Sequence, residues 1–241
     1  KKGFPVTGVA KIMYPCDNKY IVESKSLKLY FNSFNMTQLG ETSDEARDTM
    51  IEYVGSDLSE LLETDVHVQI YDPTGIDSTK LKPYFDDSYC TLENIIEANS
   101  WYYTQYTEEP KLLNAGEFSN TQDYLVGQNY HSSLLKSNCR VTNQPDWGDV
   151  FIAMKSKKVA RPKNLLTYIV SFRDENHFHE EICETIYKRL WDTFEPKELA
   201  VTCLYARRGG IDINPTRVSH IDLLTDSLID MDKPFSKTPR Q

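Results

Sequence analysis

The sequence predicts an α+β protein made of two tandem copies of one strand–strand–helix–strand unit, and three observations lead there. Residues 161–172 overlay residues 23–34 without a gap, and five of the twelve positions are identical: Lys25 with Lys163, Leu27 with Leu165, Tyr30 with Tyr168, Ser33 with Ser171 and Phe34 with Phe172. Each window is followed by an amphipathic helix and then a strand, the trace that a duplicated unit leaves in a chain. The strand segments carry their own signal, since residues 66–71 alternate with one wetted face and residues 199–205 form an apolar run bounded by turn residues.

In chain order, residues 9–14 read as a short strand, with a turn around Asp17 and Asn18. Residues 20–31 read as a strand leading into a helix with exposed lysines. A functional reading stands beside it, in which Glu23 offers a carboxylate to a polar heterocycle while Ser24 and Lys25 offer a hydroxyl and a cation to a phosphate. Thr42 and Glu45 have capping-box spacing, and Ala46, Met50, Ile51 and Val54 recur at helical intervals, so a helix starts there, with Gly55-Ser56-Asp57 predicted to interrupt it. Residues 72–130 show no period and are broken by Pro73, Pro83 and Pro110. They read as a connector in which residues 92–101 are the candidate for local structure.

Residues 150–154 read as a buried strand followed by a basic turn at residues 155–158. Phe178, Ile182, Cys183, Ile186, Tyr187, Leu190, Trp191 and Phe194 then form one face of the clearest helix in the chain, which Pro196 ends. After the strand at residues 199–205, Arg207-Arg208-Gly209-Gly210 reads as a tight basic turn in which Arg208 can clamp an anion and glycine lets the backbone approach it.

Bulk properties narrow the function. The 241 residues are 39% hydrophobic, enough for a core in one large or two small domains, and a net charge of −9 argues against a protein that lives on a nucleic-acid backbone. No run of eighteen apolar residues and no apolar signal core predict neither a membrane span nor export, and a chain that opens abruptly at Lys1 is expected to have its native start upstream. Five cysteines without a C-x-x-C pair suggest no disulfide framework and no zinc knuckle, which fits a reducing cytoplasm. No G-x-G-x-x-G follows a strand, so a Rossmann dehydrogenase is excluded.

The chemistry concentrates in residues 137–149, read as an active-site loop with a turn at residues 145–148. There Cys139 offers a thiol and Asp146, seven residues on, a carboxylate. A thiol attacks only as thiolate, and with an ordinary pKa of about 8.5 it needs a base or a cationic setting; Asp146 can take the proton and later return one. Asn176-His177-Phe178-His179-Glu180-Glu181 invites a metal reading, but two histidines two apart on a helix point away from each other, so no metal is expected.

Three motifs together resemble the QueF family of NADPH-dependent 7-cyano-7-deazaguanine reductases: Glu23-Ser24-Lys25-Ser26-Leu27-Lys28-Leu29-Tyr30, then Leu134-Leu135-Lys136-Ser137-Asn138-Cys139 running into Gln144-Pro145-Asp146-Trp147-Gly148, and Phe178-His179-Glu180. The order, with the Glu23 motif ahead of Cys139, resembles the two-module branch. The resemblance implies two tandem tunnelling-fold (T-fold) modules, antiparallel sheets with helices on one face, at residues 1–115 and 116–241, assembled as a homodimer. It implies reduction of the nitrile of 7-cyano-7-deazaguanine to a primary amine by two NADPH, in queuosine formation, through a thioimidate on Cys139.

By the same resemblance Cys139, Asp146 and His179 are catalytic; Val22, Glu23, Ser24, Phe178, His179 and Glu180 bind substrate; and Ser24, Lys25, Arg208 and Gly209 bind NADPH. A QueF-like amidinotransferase acting on transfer RNA is the alternative, against which the intact residues 23–30 and the acidic charge weigh. A cyclohydrolase of related fold would need a metal set that is not found, and a nucleobase-binding module without chemistry would not need both Cys139 and Asp146.

Overall fold

The computed structural model of the protein describes residues 5–73, 85, 88–95, 101–114, 121–231 and 241. Contacts divide the chain into two units, one of Lys1–Tyr84 with Gly209–Ile211 and Asp226–Ser236, the other of Phe85–Arg208 with Asp212–Thr225 and Lys237–Gln241.

The first unit contains β1 (Val9–Met13), α1 (Ser24–Ser33), α2 (Ser43–Leu62) and β2 (His67–Tyr71), with β1 and β2 paired antiparallel. The predicted capping box is formed: the Glu45 N–H donates to Thr42 Oγ1 at 3.2 Å, and the Glu45 carboxylate accepts from the Thr42 N–H at 3.2 Å. Contrary to the sequence reading, α2 runs straight through Gly55-Ser56-Asp57. Val54, Leu58 and Leu62 continue one buried stripe past the glycine, and burying it outweighs the helix penalty of about 1 kcal/mol that glycine carries. Residues 20–23 form no strand. Glu23 is instead the N-cap of α1, its carboxylate accepting the Ser26 N–H at 2.7 Å.

The second unit holds β3 (Cys90–Thr91), α3 (Leu92–Ile95), β4 (Thr121–Cys139), β5 (Pro145–Lys158), α4 (Pro162–Val170), β6 (Asn176–His177), α5 (His179–Phe194), β7 (Glu198–Tyr205) and β8 (Thr216–Val218). Its sheet has the order β3-β4-β5-β7-β8, with β6 also on β4; the long pairings are antiparallel, and only two-residue β3 and β6 join β4 in parallel. Val150, Ile152 and Met154 of β5 and Leu199, Val201, Cys203 and Tyr205 of β7 form one core with Leu165, Leu166 and Ile169 of α4 and Ile182, Ile186, Leu190 and Phe194 of α5.

The regular structure is longer than the sequence suggested. Strand β4 begins at Thr121, within the predicted connector, and β5 carries on through residues 155–158, where a basic turn was expected. Ser156 explains the second difference: it is fully buried between outward-pointing lysines, so the strand alternation persists without an apolar residue. Of residues 92–101, Leu92–Ile95 is one helical turn, and residues 96–100 lie outside the described residues.

The element order differs from the expected strand–strand–helix–strand unit, since both overlaid windows are helices: the first unit runs β1-α1-α2-β2, and the second β5-α4-β6-α5-β7 with β4 ahead of it. Glu23 caps α1 at φ −75°, ψ 121°, and its overlay partner Arg161 caps α4 at φ −79°, ψ 123°. Both helices end in a 3-10 turn, and α2 and α5 end on left-handed Glu63 and Glu195.

Tyr168, fully buried in α4, donates its hydroxyl to Glu108 Oε1 at 2.9 Å, and Arg189 Nε of α5 donates to the same oxygen at 3.0 Å. Burial and the Glu108 charge push the tyrosine pKa up, so the hydroxyl stays a donor. Glu108→Ala strands it, with an expected loss of about 1–3 kcal/mol in denaturant unfolding, whereas Glu108→Gln, which keeps an acceptor, is expected to lose less. No described helix is long and apolar enough to cross a membrane.

Candidate active site

The sheet register builds the site. On β5 the side chains of residues 146, 148, 150, 152 and 154 share the helix-covered face, so Asp146 stands at the polar end of the core row. Pairing sets Ser137 of β4 opposite Asp146, and Tyr205 of β7 opposite Gly148. Cys139, two residues beyond Ser137, ends β4 on the same face. His179 opens α5, which packs over this row.

Cys139 and Asp146 therefore do not sit on a long loop. A tight hairpin of residues 140–143 joins β4 to β5, closed by the Cys139 N–H on Gln144 O at 2.8 Å and the Asn143 N–H on Cys139 O at 2.9 Å, with Asn143 left-handed at φ 54°. The turn lies at residues 140–143, not at 145–148. Pro145 is the first residue of β5, a strand position that proline tolerates.

The Cys139 thiol is half-buried. Burial pushes its pKa up, but the nearby Thr142 hydroxyl and the hairpin N–H groups of Thr142 and Val141 favour the thiolate and outweigh that, so the pKa falls below the ordinary thiol value. The nearby Asp146 charge works the other way and raises it. The hairpin's donors, which the sequence reading missed, thus do the work it assigned to a base or a cation. Thr142→Val removes one donor, and the midpoint of Cys139 alkylation is expected to move to higher pH by about one unit or less, read by peptide-resolved labelling across pH.

Asp146 is 4% exposed, and its Oδ1 lies 2.8 Å from Arg208 Nη1 and 3.3 Å from His179 Nε2. Arg208 also donates through Nη2 to Gln144 Oε1 at 3.1 Å and to Pro145 O at 3.2 Å. The His179 ring stacks on Tyr205, centroids 4.0 Å apart and planes 22° from parallel. Eight buried side-chain polar atoms among the described residues lack a well-aligned hydrogen bond, and half of them are here: Ser137 Oγ, Asp146 Oδ1, His179 Nε2 and the Tyr205 hydroxyl. They are imperfectly paired with one another, Asp146 Oδ1 with His179 Nε2 and Arg208, and the Tyr205 hydroxyl with Ser137.

His177 belongs to β6, not to the helix, and pairs with Cys139. It lies 3.2 Å from Glu175 and 3.5 Å from Glu181, whereas His179 faces Asp146; the two histidines are separated by different partners and not by helical rotation as the sequence reading had it. Among the described residues no group of three or more His, Cys, Asp or Glu is placed to hold a metal ion. Phe178 is the N-cap of α5, its N–H on Glu181 at 2.8 Å and its ring 5.7 Å from the Arg140 guanidinium. Glu180, in the first turn, has no hydrogen bond or ion pair to a described residue.

The other candidates belong to the first unit. Val22 and Ser24 are half-buried there, and Glu23 and Lys25 exposed. Glu23 uses one carboxylate oxygen on its own helix. The little burial it has raises its pKa, but the N–H groups of Lys25 and Ser26, the Ser26 hydroxyl and the Lys25 charge together lower it. The Ser24 hydroxyl and the Lys25 ammonium, whose charge also acts on Glu23, stand at the start of α1 as a donor set that fits a phosphate. Gly209 is left-handed at φ 60°, and a Cβ there would stand 3.2 Å from Lys28 Nζ.

Comparison with known proteins supplies the family. A family model described as nitrile reductase, 7-cyano-7-deazaguanine-reductase N-term matches residues 1–70, and one described as QueF-like protein matches residues 145–222. The NADPH-dependent 7-cyano-7-deazaguanine reductase of Psychrobacter cryohalolentis is 37% identical over 228 residues, 93% of this chain and 76% of that protein. Its namesake from Legionella pneumophila strain Lens is 39% identical over 216 residues, 90% of this chain and 70% of that one. The chain belongs to this family. A solved structure, archaeosine synthase QueF-Like in the apo form, overlaps 41% of this chain and 95% of its own with a TM-score of 0.36 and 17% identity.

Ser137, Cys139, Asp146, His179 and Arg208 are gathered in one unit by strand register and by the ion pairs on Asp146. The members of the Glu23 motif rest on sequence.

Proposed function

We infer that the protein is an NADPH-dependent nitrile reductase that converts 7-cyano-7-deazaguanine to 7-aminomethyl-7-deazaguanine. The observation that carries the reading is the Cys139 thiol at the mouth of a donor-lined hairpin, its pKa lowered, beside a buried carboxylate and an imidazole. Sulfur adds to the nitrile carbon while Asp146 takes the thiol proton and returns it to the nitrile nitrogen, which leaves a thioimidate. NADPH, when bound, supplies the two hydrides that a four-electron reduction needs.

Ser24 and Lys25 would hold a phosphate of the cofactor, and Gly209 leaves room for its approach. Arg208, the fourth residue assigned to the cofactor, has its guanidinium on Asp146, Gln144 and Pro145, so its direct role is to hold the carboxylate. The Glu180 carboxylate suits the paired N–H donors of a guanine-like edge, with Phe178 as an apolar cover, and Val22 and Glu23 are assigned to substrate by their motif alone. His179 orients the reacting group against Asp146, and Phe178 shields it from water. The protein acts on the free base without touching nucleic acid, as a homodimer in the cytoplasm.

The test is intact mass after mixing with 7-cyano-7-deazaguanine in the absence of NADPH. An adduct of the nitrile's full mass, discharged by NADPH with about two equivalents oxidised per substrate, is expected from the stoichiometry of the reaction. An adduct that NADPH leaves in place would overturn the reductase reading, and no adduct would overturn the thioimidate.

A further inference from the structure

His179 can serve Asp146 only if its ring is held in one plane. An imidazole has a broad, roughly two-fold torsion about its last side-chain bond, so attachment to α5 does not choose the plane in which Nε2 points. Something else holds Nε2 at 3.3 Å from Asp146 Oδ1.

Tyr205 is the last residue of β7 and is buried, its ring lying flat on the imidazole at 4.0 Å. Its own position is fixed from behind. Gly148 faces it across the strand pair, and a Cβ on that glycine would meet Tyr205 Cδ1 at 3.1 Å and Cε1 at 3.3 Å, so the ring fills the space that the missing side chain leaves. The hydroxyl lies in the interior near Ser137. Burial above all, with the Asp146 charge nearby, pushes its pKa well up against a smaller lowering by Ser137, so the ring is a neutral plate and not a second acid.

Resting on the reductase reading, we propose that Tyr205 is a positioning residue for nitrile reduction: seated against Gly148, its ring holds the His179 imidazole in the plane that keeps Nε2 on Asp146. Substrate is not expected to touch it. The stack carries the effect, so the aromatic ring is required and the hydroxyl is not.

The experiment is a double-mutant cycle on the whole protein, with kcat and KM measured for Tyr205→Leu, Tyr205→Phe, His179→Ala and Tyr205→Leu with His179→Ala. Tyr205→Leu is expected to lower kcat by about ten- to a hundredfold with KM little changed, the scale on which misplaced groups cost rate. Tyr205→Phe is expected to stay near wild type. In the His179→Ala background the leucine substitution is expected to cost little more, because there is no ring left to hold.

Equal losses from Tyr205→Leu in both backgrounds would overturn the proposal, as would a Tyr205→Phe as damaged as the leucine variant. Should Tyr205→Leu fail to fold, Gly148→Ala replaces it in the cycle: it pushes the ring without deleting it and is expected to show the same dependence on His179, with independence overturning the proposal. Failure here is distinct from failure of the underlying reading, since wild-type protein that forms and discharges the adduct leaves the reductase standing whatever the cycle shows.

Discussion

Cys139→Ala is expected to abolish both the covalent adduct and turnover while leaving the fold intact. The hairpin holds Cys139 through its backbone N–H and carbonyl, so removing the sulfur deletes no contact that closes the turn. The other four thiols cannot substitute: Cys183 and Cys203 are sealed in the core, and Cys16 and Cys90 are exposed without the hairpin's donors. Cys139→Ser is expected to be as inactive, because the same donors cannot bring a hydroxyl to a usable anion at neutral pH, whereas a thiol starts within reach at about 8.5. Intact mass and NADPH oxidation check both, and turnover above background in Cys139→Ala would remove the covalent route altogether.

What the sequence made legible were the elements with an apolar period: β1, α5 and β7, and α2, whose capping box announced its start. The overlay of residues 23–34 on 161–172 was legible too, but not that both windows are helices. The ends of β4 and β5 were not, and the reason is functional. Their inward row there is Ser137, Cys139, Asp146 and Gly148 in place of leucine and valine, so strand alternation exists in space but not in hydropathy, and the stretch read as loop.

Cys139, Asp146 and His179 stood out because their side chains carry chemistry. Ser137, Thr142 and Tyr205 did not, because their importance lies in what register and hairpin geometry place beside them. Only the pairing of Gly148 with Tyr205 brings that ring under His179, and no spacing rule in one dimension contains it. The cation that a lowered thiol pKa suggested is present as Arg208, yet its guanidinium lies on Asp146 while the hairpin's donors serve the sulfur.

Asp146→Asn is expected to separate two properties that fall together in most active-site variants. The aspartate's charge raises the Cys139 pKa, so neutralising it should lower that pKa further: below the wild-type midpoint more of the thiol is ionised, and alkylation of Cys139 at about pH 6 should be faster than in wild type. Nitrile reduction should go the other way, by about 10²–10⁴-fold, because an amide neither takes the thiol proton nor returns one to the nitrile nitrogen. The fold should hold, since Arg208 keeps Gln144 and Pro145 and the amide oxygen can still face His179. Peptide-resolved alkylation, needed to distinguish Cys139 from exposed Cys16 and Cys90, and steady-state NADPH oxidation measure the two arms. A variant slower in both would mean that proton removal by Asp146 outweighs the opposition of its charge to the thiolate even in alkylation. A variant faster in alkylation and unimpaired in reduction would take the proton transfer away from Asp146 and leave His179 as the group positioned to perform it.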